Sequence, residues 1–136
     1  MNNKMLAILG VTNLRKQISG SGSAKWYRVA KTSNNSTIGG IIGFVSFENI
    51  TPLIFSFVMM KYDTEASVKF NSICGNQNGL KQYFRYKNTT NGLCLWIRTT
   101  GSDTHNFIIP TLKGTYSSFD VVQENPPEDA LEPTFD

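Results

Sequence analysis

Histidine occurs once in this 136-residue chain, at His105, and cysteine twice, at Cys74 and Cys94. Neither cysteine belongs to a C-x-x-C pair. One histidine beside two separated thiols offers no spacing that would hold zinc or another transition metal. The expectation is therefore no metal site and no cofactor. Two buried free thiols are the simplest reading, and a disulfide between neighbouring strands stays open as the alternative.

Charge is also sparse: Asp, Glu, Lys and Arg together make up 17% of the residues. Before residue 124 the carboxylates are Glu48, Asp63, Glu65, Asp103 and Asp120 alone. All but Asp120 sit in turn-like segments, where acidic residues serve turn geometry. Glycoside hydrolysis needs two carboxylates facing one bond, and this distribution does not point to such a pair. In "GSDTH", Ser102, Asp103 and His105 share one short loop. A nucleophile, its base and the orienting acid converge from separate elements, so this reads as a loop. No phosphate-binding glycine loop or dinucleotide fingerprint occurs, and "GGIIG" (39–43) is not followed by a helix. The chain is expected not to be an enzyme, and no catalytic residue is assigned.

Long apolar runs are missing too. None reaches the roughly 18 residues of a membrane span. Lys4 and the apolar residues 5–11 resemble the start of a signal peptide, but no small-x-small cleavage site follows. Basic runs are no longer than Arg15-Lys16, although the chain carries 13 Lys and Arg. Spread singly, they read as solvated strand faces, with no nucleic-acid partner expected. The net charge of +3 nevertheless hides a split. Residues 124–136 hold five acids and no base, which leaves +8 on the body and −5 on the tail.

What the chain does contain is strand chemistry. "KWYRVAKT", "IIGFVSF", "VKFNSIC", "QYFRYK" and "LCLWIRT" alternate or are β-rich, and Asn, Gly, Ser and Thr punctuate them. "LIFSFVMMKY" is the most apolar run and reads as a central buried strand. Asn91-Gly92 between two β-rich runs marks a hairpin. "NFIIP" reads as a strand closed by Pro110, and "SSFDVVQ" as the last strand. Four N-x-[ST] triplets begin at Asn34, Asn35, Asn49 and Asn88, as Asn-rich turns produce. About eight strands at turn-separated intervals predict an all-β fold, an antiparallel, jelly-roll-like β-sandwich. Residues 1–18 form a separate short helix or arm, whose Leu6, Ile8, Leu9, Leu14 and Ile18 are candidate partner anchors. Residues 19–23 are a Gly/Ser hinge, 24–123 the sandwich, and 124–136 a disordered or partner-bound acidic tail. The charge split suggests that this tail packs on the basic body of a neighbouring copy.

Binding chemistry is well supplied. Aromatic faces stack on the apolar side of sugar rings, while amides and hydroxyls meet the sugar OH groups. Candidate ligand-binding residues are Trp26, Tyr27, Tyr83, Tyr86 and Trp96, each set against the simpler role of filling core or interface. Trp96, in an alternating strand, is the strongest core candidate of the five.

The order of "KWYRVAKT", a glycine-rich strand, "IFSFVMM", then "YFRYKNTTNGLCLWIRT" and "HNFIIPTL" resembles the C-terminal β-sandwich modules of bacteriophage tail-fibre and receptor-binding proteins. Trp26, Tyr27, Arg28, Val29 and Ala30 match the first element of that pattern. Tyr83 to Tyr86, then Asn91, Gly92, Leu93, Leu95 and Ile97, match its hairpin. The resemblance covers residues 24–122. It implies a virion structural protein, assembled in the bacterial host cytoplasm, that displays a sandwich for a host-surface glycan or another virion protein. It also implies a homo-oligomer, with a trimer favoured, tied to other virion proteins by the N-terminal arm. A free lectin-like carbohydrate-binding module and a capsid decoration protein are the alternatives.

Overall fold

A computed structural model describes residues 24–46, 52–75, 77–99 and 104–136. Among them run nine strands: β1 (Lys25–Thr32), β2 (Ser36–Ser46), β3 (Leu53–Tyr62), β4 (Glu65–Gly75), β5 (Phe84–Thr89), β6 (Gly92–Thr99), β7 (Thr104–Lys113), β8 (Ser117–Ser118) and β9 (Val122–Gln123). A helical turn, α1 (Gln77–Leu80), and a 3-10 turn at Lys81–Tyr83 lead into β5. The candidate anchors Leu6, Ile8, Leu9, Leu14 and Ile18, the 19–23 hinge, Glu48, Ser102 and Asp103 lie outside the described residues.

The strands form two antiparallel sheets. One has the order β5-β6-β1-β8, with β9 also pairing β1, and the other β4-β3-β2-β7. This is the antiparallel sandwich that the spacing of the runs predicts. Period two places the core. Along β3, Leu53, Phe55, Phe57 and Met59 are buried, while Val58, Met60 and Tyr62 point to the open side. Leu93, Leu95 and Ile97 do the same for β6 and meet them across the sandwich. Phe84 of β5 ties the sheets together: its ring lies 5.0 Å from Phe55 and 5.2 Å from Phe44, both edge-on. A register shift between Arg28 and Ala30 lets the adjacent Val29 and Ala30 both turn inward. On the outer side of β2, the Phe107 ring occupies the space that a Cβ on Gly43 would need.

Three segments depart from the strand reading. β7 continues past Pro110 to Lys113. It is an edge strand, where proline's missing N–H is tolerated, and a register shift at Gly39/Gly40 accommodates the bend. "SSFDVVQ" divides into β8 and β9, because Phe119 between them turns into the core and is 3% exposed. The third departure is the acidic tail, which is ordered on its own body.

Residues 124–136 act as a strap. Glu124 accepts a hydrogen bond from Arg28 of β1 (2.9 Å) and another from the Trp96 indole of β6 (3.2 Å). Asp129 pairs with Lys87 of β5. Leu131 exchanges two backbone hydrogen bonds with Tyr86, both 2.9 Å, at the β5 edge. The chain then reaches the other sheet, where Phe135 bridges to Phe70 of β4 and Asp136 pairs with Lys69. The −5 tail thus neutralises part of the same chain's basic face. It also closes the side of the sandwich where the β5 and β4 edges would otherwise be open.

The two cysteines differ, against the expectation of two buried thiols. Cys74 is exposed on β4 and Cys94 buried on β6, both free and on different sheets. Burial pushes the Cys94 thiol above its ordinary value of 9.0, against the smaller opposing pull of Arg28 and Lys31. A thiol that stays protonated and covered is a poor nucleophile. Titration with a thiol reagent should therefore count one cysteine in native buffer and both in denaturant. Two fast thiols in native buffer would contradict the covered position of Cys94.

Candidate functional site

Successive strands run in opposite directions, so every second connection falls at the same end of the sandwich. The β1–β2, β3–β4, β5–β6 and β7–β8 turns accordingly meet at one end. Together they line a bowl with a cavity volume of about 890 Å³, within the usual range of small-ligand clefts. Its wall is amide and hydroxyl: Asn34 and Asn35 from the first turn, Thr64 from the second, Asn88, Thr89, Thr90 and Asn91 from the third. Tyr116, from the fourth, stands on the rim with 57% of its surface exposed.

The turn sequences explain this shape. Asn34 and Asn35 both adopt left-handed backbone, at φ 50° and 58°. They sit in the three-residue connection 33–35 that carries the chain from one sheet to the other, and Asn tolerates positive φ best after Gly. Asp63 does the same at φ 57°. The turns are then tied to one another. The Asp63 N–H donates to Asn35 Oδ1 (2.6 Å), and Asn88 Nδ2 donates to the Thr64 carbonyl (3.0 Å). The Ser33 N–H donates to the Tyr116 carbonyl (3.1 Å). Behind the rim, Ser117 joins the hydroxyls of Thr32 and Ser36 at 2.7 and 2.9 Å, and all three residues are buried. The Tyr116 N–H donates to that same Ser36 hydroxyl. The fourth turn is held from both sides, so the rim is ordered before any ligand arrives.

Two charges belong to the bowl. Lys61 is 8% exposed and donates from Nζ to the Thr89 carbonyl at 2.8 Å. It does not lie on a solvated strand face, as its spacing suggests, because β3 presents it inward beneath the third turn. Asp63 is the carboxylate among the described lining residues. The side chains of Asn34, Asp63, Thr90 and Asn91 make no hydrogen bond to the other described residues. They leave amide, hydroxyl and carboxylate groups free for a ligand.

The five aromatics singled out from sequence do not gather here. Tyr83 is buried, its ring 5.2 Å from Phe44. Tyr27 and Tyr86 are half-buried and pack inward on the core. Trp96 is 3% exposed, but it lies on the outer face of its sheet, beneath the strap, bonded to Glu124. Trp26 is half-buried on that same outer face, with the Arg85 and Arg98 guanidiniums over its ring. The bowl's aromatic, Tyr116, follows a glycine in "KGTYSS" and carries no local mark of a site. The Asn-rich turns were the available signal: three of the four N-x-[ST] asparagines line the bowl.

The fold and the bowl define an antiparallel β-sandwich with a polar, turn-built depression at one end. Comparison of the chain with protein-family models, with curated proteins and with solved structures yields no match.

Proposed function

We propose that this protein is a non-catalytic carbohydrate-binding module whose ligand sits in the turn-lined bowl. One observation carries the reading: four turns bring free amides and hydroxyls around one exposed tyrosine. Sugars offer both halves of the matching chemistry, with OH groups for Asn34, Thr90 and Asn91 and an apolar ring face for Tyr116. Among its described lining residues the bowl holds one ammonium and one carboxylate, a balance that suits a neutral saccharide. A single carboxylate among the described lining residues supports binding over the paired-acid hydrolysis of a glycosidase. The tail-fibre resemblance supplies the setting: a virion appendage that presents the bowl to a host-surface glycan, repeated as a trimer. Light scattering of the full chain reads the oligomeric part of that setting, and a monomer would favour the free lectin-like form.

The direct test is a panel of neutral oligosaccharides, screened on an array and followed by calorimetry of the strongest binder. Tyr116→Ala removes an exposed ring and should leave the fold intact while weakening that binder about tenfold or more, the scale of one lost stacking contact. Binding that survives Tyr116→Ala and Asn34→Ala unchanged would move the ligand elsewhere. Absence of binding across the panel would end the carbohydrate reading.

A further inference from the structure

We propose a second binding site, for an oxyanion, on the outer face of the five-stranded sheet between Arg85 and Arg98. Strand register puts the two side chains together. Arg98 of β6 pairs with Trp26 of β1, and Arg85 of β5 pairs with Trp96 of β6. Both guanidiniums therefore stand on the face that carries Trp26. Their central carbons lie 5.3 Å (Arg85) and 5.9 Å (Arg98) from the centre of its ring. Arg98 also stacks on Tyr83 at 4.9 Å.

Charge separates this pair from its neighbours. The strap supplies Glu124 to Arg28 and Asp129 to Lys87 on the same face. It supplies nothing to Arg85 or Arg98, which have no carboxylate partner among the described residues. Arg85 Nη1 is engaged by the carbonyls of Gln82 (3.0 Å) and Phe84 (2.7 Å), which fix the side chain and leave its charge uncompensated. Arg98 Nε is buried with no hydrogen-bond partner among the described residues. Like charges on adjacent strands repel, and a buried donor without an acceptor is costly. One oxyanion between the two forks relieves both. Guanidinium forks match carboxylate and phosphate oxygens in pairs, and aromatic faces hold the forks in plane and partly dehydrated. The site lies toward the start of β1, whereas the bowl is at its end, so it does not depend on the carbohydrate reading.

The ligand chemistry is a carboxylate or phosphate group carried on a larger molecule, and the experiment tells the two apart. The full chain, labelled with nitrogen-15, is titrated at constant ionic strength with sodium phosphate and, separately, with sodium acetate. The Arg98 Nε–Hε and Trp26 indole signals should shift and saturate, and the anion that saturates at lower concentration identifies the source. Arg98→Gln should weaken that saturation at least about tenfold, the loss of one charge-assisted fork. Arg85→Gln should do the same if Arg98→Gln fails to fold. Shifts that grow linearly without saturating, or that persist in both variants, would overturn the proposal and mark an adventitious ion only. Absence of any shift would assign the pair to a carboxylate of the chain itself and would overturn it equally.

Discussion

Replacing Phe135 with alanine is expected to lower the unfolding free energy by about 3 kcal/mol, the low end for a phenylalanine truncation because the ring is only partly buried. The expectation is unusual for a residue of an acidic, proline-rich segment, since such segments commonly tolerate change. Here the ring lies 5.0 Å from Phe55 and 6.1 Å from Phe70, edge-on to both. The backbone on either side is tied into β4: the Asp136 N–H donates to the Phe70 carbonyl at 3.0 Å, and the Ser72 N–H to the Asp136 carbonyl. Removing the ring opens a cavity at the seam between the sheets and loosens the strap that covers Trp96. Urea unfolding reads the effect as a lower midpoint at unchanged slope. The ion pairs of the strap are a poor substitute for this ring. Asp129 is exposed, and although its bond to Lys87 holds the carboxyl below its ordinary value of 3.8, exposed pairs add little stability. A loss under about 1 kcal/mol for Phe135→Ala would mean that the strap merely rests on the sandwich.

Gly92→Ala should cost about 2 kcal/mol, the middle of the range for a residue forced into backbone that only glycine adopts readily. Gly92 has φ 147°, and an added Cβ would lie 2.9 Å from the Thr32 carbonyl oxygen. The second consequence concerns the bowl. Thr89 Oγ1 donates to the Gly92 carbonyl at 2.8 Å and accepts from the Asn91 N–H at 3.2 Å. Any shift of Gly92 therefore moves the turn that carries Asn88, Thr90 and Asn91. The variant should lose stability and saccharide affinity together, whereas Tyr116→Ala loses affinity alone. Amide chemical shifts of residues 88–91, recorded beside the unfolding curve, separate the two effects. Unchanged shifts would show that the turn absorbs the methyl group without deforming.

The strand framework was legible because alternation and turn chemistry act over a few residues. "LIFSFVMMKY" announces a buried face at every second position, and Asn91-Gly92 announces a hairpin, whatever surrounds them. The candidate site was much less legible. Asn34, Asp63, Thr64 and Asn88 each look like ordinary turn residues, and ordinary turn residues is what they are locally. They become a site by sharing one end of the sandwich with Tyr116, a matter of strand direction and sheet order. The aromatics misled for the related reason that an alternating strand shows which residues share a face, and not what covers that face. Trp96 belongs to the outer face of β6 and is buried by Glu124, far along the chain.

The tail shows the same division most clearly. Composition correctly marks 124–136 as acidic and rich in proline, and composition alone favours disorder because so little apolar surface is present. Two residues reverse that outcome: Leu131 supplies backbone pairing at the β5 edge, and Phe135 supplies a ring to the core. Their partners, Tyr86 and Phe70, are brought within reach only by the folded sandwich. Sequence by itself determined the strands, their inward faces and the tight turns, since those depend on local sterics and period-two burial. Tertiary structure decided the bowl, the strap and the unpaired arginines, since each depends on contacts between residues distant in the chain that no local pattern encodes.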